Sequence, residues 1–163
     1  MPSTVRGFAA FLAACGIAAS ILAYVVSFDG ALVDIAFPWL GLLFIGSMAL
    51  IIPIYARDYP ASRVPSFVWK GFARGMPSWV APCSWFLSLI CIAHFVWFAV
   101  HTGWGVPEIQ DGQYILDARG QTLKVLTQSE YFTLKEAELR MFATLMIYFY
   151  FLPMTYWWFR REF

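Results

Sequence analysis

Val80-Ala-Pro-Cys-Ser-Trp-Phe-Leu-Ser-Leu-Ile-Cys-Ile-Ala-His-Phe-Val-Trp-Phe-Ala-Val-His101 runs for 22 residues without an Asp, Glu, Lys or Arg. About 20 apolar residues carry a helix across a hydrocarbon layer of about 30 Å. Three further stretches share this character, at about residues 8–28, 34–55 and 141–159. The chain is 61% hydrophobic, 20% aromatic and 13% charged, with a mean hydropathy of +0.65. A soluble domain carries about 25% charged residues. In 163 residues, a water-facing fold has no place for that much apolar surface, whereas lipid accepts it. Lipid offers no partner to a free N–H or C=O, so the spanning segments must be helices. The expectation is one all-α integral membrane domain over residues 1–163, a four-helix bundle with spans at about 8–28, 34–55, 80–101 and 141–159.

With the spans so placed, the charges segregate. One side holds Arg6, Arg57, Arg63, Lys70, Arg74, Arg160 and Arg161 against Asp58 and Glu162, a net +5. The other holds Asp29, Asp34, Glu108, Asp111, Asp117, Glu130, Glu136 and Glu138 against Arg119, Lys124, Lys135 and Arg140, a net −4. Lys and Arg are retained on the cytoplasmic side, which predicts cytoplasmic termini and residence in a plasma (inner) membrane. The inner connection, residues 56–79, is basic and Pro-punctuated. Within it residues 66–74 fit a short surface helix, with Lys70 and Arg74 toward anionic headgroups and Val68, Phe72 and Met76 on another stripe.

Leu12-Ala13-Ala14-Cys15 matches a lipoprotein cleavage box. Only residues 7–11 separate it from Arg6, however, and the chain stays apolar to Phe28. A signal h-region has about 7–15 residues, so the segment reads as a retained helix. Cys15, Cys83 and Cys91 all fall inside spans and read as small apolar packing residues. In the first span Ala10, Ala14 and Ala18 recur every fourth residue, as do Ala9 with Ala13 and Gly16 with Ser20. Small residues at that spacing admit a close neighbouring helix, here expected within the same chain rather than between copies. Pro38 and Pro53 are expected near the ends of the second span, shaping it. Trp157 and Trp158 beside Arg160 and Arg161 read as an inner interfacial anchor, and Trp104 as an outer one.

The outer segment, residues 102–140, is the sizeable water-facing part. Residues 113–116 and 122–126 read as two short strands around Asp117-Ala118-Arg119-Gly120-Gln121, a hairpin with Gly120 left-handed. Thr127-Gln128-Ser129-Glu130 matches a capping box, opening a helix with no break before Pro153. Glu136 and Arg140 stand four apart in the favourable order. The fourth span therefore projects beyond the membrane with the hairpin leaning on its root. The remaining outer carboxylates read as a solvated face. The run Gly-Gln-Tyr-Ile-Leu, then Arg-Gly, Leu-Thr-x-x-Glu-Tyr and Glu-Leu-Arg over residues 112–140 resembles small bacterial four-span membrane proteins and implies no activity.

Ionisable residues inside a membrane are where function is first sought. The four spans carry no interior Asp or Glu, which disfavours an ion-coupled transporter or channel component. His94, with His101 and Cys91, is the candidate cofactor-binding set, for haem or a metal; no catalytic residue and no complete metal site is indicated. His94 and His101 lie seven apart on one helix face, about 10.5 Å along the axis. They cannot ligate one haem from opposite sides, so a haem would need a second subunit or an axial Met48, Met146 or Met154. Cys91 and His94 supply two of the roughly four ligands of a zinc site. Packing is the simpler role for His94. The chain shows no Cys-x-x-Cys, no His-Glu-x-x-His and no phosphate-cradling glycine loop. The reading is a non-catalytic accessory, assembly or immunity-type subunit, with a membrane protein partner or a second copy, and no nucleic acid. The alternative is a membrane redox subunit using His94.

Overall fold

In a computed structural model the described residues are 3–58 and 76–159. The expected surface helix at residues 66–74, with Lys70 and Arg74, and the anchor arginines Arg160 and Arg161 lie outside them.

Three apolar runs form long helices: α1 Ser3–Val26, α2 Gly30–Asp58 and α3 Val80–Thr102. Each contains a segment long and apolar enough to cross a membrane: Thr4–Val26, Leu32–Ala56 and Val80–Thr102. The chain thus has membrane-protein character. The α1–α2 connection is a tight turn in which Phe28 and Asp29 donate N–H bonds to Val25 and Val26 at 3.2 and 3.0 Å. α2 runs past its expected bounds at both ends, so Pro38 and Pro53 sit inside it rather than at its ends. α3 stops where Gly103 (φ 57°) and Trp104 (φ 70°) turn left-handed. Trp104 is exposed, its ring edge-on to Phe95 at 5.6 Å.

The sheet departs from expectation. It has three antiparallel strands, β1 Val106–Gln110, β2 Gln113–Ala118 and β3 Gln121–Val125, in the order β1-β2-β3. The missing strand is β1, and its turn is Asp111-Gly112, both residues at positive φ (50° and 78°). Arg119 and Gly120 repeat the pattern at 57° and 78°. Left-handed pairs of this kind match the twist of flanking strands. Asp117 Oδ2 accepts the Gly120 N–H at 2.9 Å, fastening the second turn.

α4 Gln128–Phe159 is continuous for 32 residues and passes through Pro153. At 1.5 Å per residue it is about 48 Å long. The capping box forms as the sequence predicts: Glu130 N–H donates to Thr127 Oγ1 at 3.2 Å, and Thr127 N–H donates to Glu130 Oε2 at 2.8 Å. α4 is the central post, packed against α1, α2 and α3.

The seam of α1 against α4 runs through Ala10, Ala13, Gly16 and Ser20, with Ser27 just beyond the helix end, all buried. Of the every-fourth repeats, Gly16 with Ser20 stays on it, whereas Ala14 and Ala18 are exposed, as is Cys15. Steps of four advance about 40° around a helix of 3.6 residues per turn, whereas alternating threes and fours hold one face. Small residues do line the intrachain contact, along a different diagonal. All three cysteines are free, and Cys15 points away from the packed interior.

Tyr150 locks three helices together. Its ring fills the space beside Gly16 of α1, and its hydroxyl donates to Leu43 C=O of α2 at 2.7 Å. A Cβ at Gly46 would stand 2.5 Å from the Tyr150 oxygen. Both glycines are present because the tyrosine needs their side-chain volume.

Candidate functional site

Two places draw together chemistry-bearing residues: the root of α4 beneath the sheet, and the seam of α3 that holds Cys91 and His94.

At the root, Tyr131 is buried with Leu116 of β2 and Leu126, joined by Tyr114, Phe132 and Leu134. Leu126 N–H donates to Tyr114 C=O at 2.8 Å, continuing the ladder into the helix start. Lys124 Nζ reaches Glu130 Oε1 at 2.7 Å. That bond first, then the Thr127 N–H and hydroxyl, hold the Glu130 carboxyl down to about 2. The sheet is thereby fixed to the helix by a core, a ladder bond and a charged clasp.

One turn further, α4 grips the α1–α2 connection. Arg140 Nη1 donates to Ser27 C=O at 3.2 Å, just beyond the end of α1, and its guanidinium lies 4.8 Å from the Phe28 ring centre. Glu136 Oε2 is 3.8 Å from Arg140, while a Cβ on Gly30, the first residue of α2, would stand 3.2 Å from Glu136 Oε1. A cation thus faces the carbonyl end of α1 and a carboxylate the N–H end of α2, the favourable sense for both helix dipoles.

The solvated-face reading fails at Glu138. Its side chain is 7% exposed and pairs with Lys135, itself 14% exposed, at 3.0 Å. Lys135 also lies 4.5 Å from the Phe37 ring centre, so the pair is wedged against α2. Burial pushes the Glu138 carboxyl above its usual range; Lys135 opposes this and Glu108 adds to it. Burial, then the negative field of Asp34, Glu138, Tyr114 and Glu108, raises the Tyr131 phenol.

On α3 Val80, Ser84, Leu87, Cys91, His94, Phe98 and Thr102, spaced by threes and fours, are among the less exposed residues and share one face of a helix that packs against α4. Cys91 and His94 are thus half-buried members of a helix interface. His94 Nδ1 bonds Ile90 C=O at 3.1 Å, and its ring stands edge-on to Tyr24 of α1 at 6.0 Å. His101 is exposed, bonded through Nδ1 to Trp97 C=O at 2.8 Å and stacked on the Trp97 ring at 4.1 Å. A carbonyl only accepts, so in these bonds each Nδ1 is the donor and Nε2 is left outside them. Among the described residues no cluster of three or more His, Cys, Asp or Glu is arranged to hold a metal ion.

What sequence reasoning missed is the Lys135–Glu138 pair and the twofold role of Glu136 and Arg140. The three-residue spacing of the first and the four-residue spacing of the second were visible. Their partners on α1 and α2 were not. No protein-family model, curated protein or solved structure matches the chain.

Proposed function

We propose that this chain is a non-catalytic integral membrane subunit of accessory, assembly or immunity type. It engages another membrane protein through its outer sheet and the aromatic surface of its helices. The observation that carries this reading is the contrast between how firmly the sheet is mounted and how much apolar surface it leaves open. Val106, Ile109, Leu123 and Val125 are exposed on a platform fastened by the Tyr131 core and the Lys124–Glu130 clasp. Exposed apolar groups on an otherwise polar water-facing element are a feature of recognition surfaces.

In this reading residues 141–159 of α4 form a fourth span beside the three apolar helices. The root of α4 and the sheet stand in the outer compartment, and both termini are cytoplasmic, following the +5 against −4 charge balance. Lys70 and Arg74 sit toward anionic headgroups. Co-purification from native membranes tests it: the intact chain retains a membrane protein that a version lacking residues 113–126 loses. Equal recovery by both refutes it.

One observation favours a second reading, a redox subunit. The Nδ1 bond of His94 to Ile90 leaves Nε2 outside that bond, and Nε2 is a nitrogen through which histidine ligates a metal or haem iron. An absorbance spectrum and metal analysis of protein purified under cofactor-retaining conditions decide this, and blank results in both remove it.

A further inference from the structure

The two edges of the sheet are not equivalent. Leu126 N–H bonds Tyr114 C=O, and Ile115 stands opposite Val125. In an antiparallel ladder successive residues point their backbone groups to opposite sides. Val125 therefore turns its N–H and C=O away from β2, and the order β1-β2-β3 places no strand beyond. The same alternation turns Ile115 toward Glu108, which leaves Pro107 and Ile109 at the outward positions of β1. Proline has no N–H, so that edge lacks one of the two outward donors a new strand would use. β3 has no proline; its register shift puts a bulge at Leu123, Val125 lies beyond it in regular pairing, and all five of its residues are exposed.

Edges are commonly defended by a lysine. Here Lys124 is drawn back onto Glu130 at 2.7 Å, so it does not stand guard over the outer side. The charge around the edge is acidic. Glu108 shares a cross-strand row with Ile115 and Val125, and Asp117 pairs with Thr122. Residues directly opposite one another share a face, so Asp117 neighbours β3 and Glu108 lies one strand further along the same row as Val125. Asp111 adds a third in the first turn, and Arg119 is the lone countercharge in the second. A second copy would bring the same carboxylates against these, and anionic headgroups would be repelled likewise. A segment bearing Lys or Arg is complementary.

We propose that β3 is a docking edge to which an extended, basic segment of the partner protein adds as a fourth strand, pairing with the outward backbone groups of Val125. This rests on the accessory-subunit reading and specifies where and how the partner is held.

The test places the photocrosslinking residue p-benzoylphenylalanine at Leu123 of the full chain in native membranes and maps each adduct by mass spectrometry. The expected product is one protein adduct, attached within a few residues of a Lys or Arg. Val125→Pro removes the outward N–H without touching the bond from Leu126, and cuts the adduct about tenfold, whereas Val125→Thr keeps the N–H and stays within about twofold. Glu108→Lys leaves the backbone edge intact and also lowers the yield, which guards against misfolding of the proline variant. Adducts confined to a second copy or to lipid, or equal yields in all variants, overturn the proposal. Absence of an adduct while a partner still co-purifies overturns the docking edge alone. Absence of both overturns the accessory reading as well.

Discussion

The ring of Tyr150 occupies the volume that a side chain at Gly16 would need, and its hydroxyl reaches across to the Leu43 carbonyl at 2.7 Å. Gly16→Ala is therefore expected to destabilise the protein by about 1–3 kcal/mol through overpacking. Tyr150→Phe loses only the bond to Leu43, about 1 kcal/mol. Gly41→Ala, where an added Cβ meets nothing within 4 Å, serves as the control. Thermal unfolding in one detergent, followed by tryptophan fluorescence, ranks the three. A Gly16→Ala variant as stable as Gly41→Ala would remove the tyrosine from its central place.

Lys135 and Glu138 should be strongly coupled. Lys135→Met leaves a carboxylate that is 7% exposed without its cation, at a cost of about 3 kcal/mol. Replacing both, Lys135→Met with Glu138→Leu, is expected to recover most of that loss, because an apolar pair of similar volume has no charge to desolvate. Unfolding of both single variants and the double variant measures the coupling. Additive losses would contradict it.

Arg140→Met gives up the Ser27 carbonyl, the Glu136 pair and the Phe28 ring together. The expected loss is about 2 kcal/mol. It should be accompanied by faster hydrogen exchange in residues 24–34, where the α1–α2 connection loses its grip. Unchanged exchange there would show that the turn holds itself.

Two carboxylates titrate in opposite senses. Glu130 lies at about 2 in the folded chain, below its ordinary 4.5, so the unfolded chain binds the proton more tightly. Its stabilising contribution is present above 4.5 and is lost as pH falls from there toward about 2. Glu138 is raised, so the folded chain binds the proton more tightly. Its contribution is greatest below 4.5 and declines as pH rises through the folded value. Unfolding measured across pH for Glu130→Gln and Glu138→Gln is expected to flatten the acid-side loss in the first and the opposite slope in the second.

Local chemistry was legible in the chain; tertiary partners were not. The capping box at Thr127 and Glu130, the left-handed Gly120 and the long uninterrupted α4 each depend on neighbours within a few residues, and each appears as the sequence predicts. β1 was hidden because Pro107 breaks a strand-like run and Ile109 is apolar yet exposed. The Asp111-Gly112 dipeptide nevertheless marked its turn. Glu138 read as solvated because its own helix is polar on that turn; its partner Lys135, on the same helix, lies against Phe37 of α2. Gly16 and Tyr150 were visible as a small and a large residue 134 positions apart, with nothing local to pair them. His94 and Cys91 belonged to a seam whose period is readable in retrospect, from Val80 to Thr102.

His94→Gln is expected to fold and to lose no more than about 1 kcal/mol, since its defined bond is to its own helix at Ile90. Unfolding of the purified variant checks this, and a loss of several times that size would mean that His94 holds more than its own turn.

Partner engagement requires that the sheet face the outer compartment, so orientation is the claim on which the account rests. It is measured by labelling with a membrane-impermeant maleimide in intact cells. The background has Cys15, Cys83 and Cys91 replaced by Ser, and single cysteines stand at Gln110 or Thr4. The account predicts that the Gln110 cysteine is labelled at once and the Thr4 cysteine only after the cells are opened. Labelling of the Thr4 cysteine in intact cells, with the Gln110 cysteine protected, would contradict it.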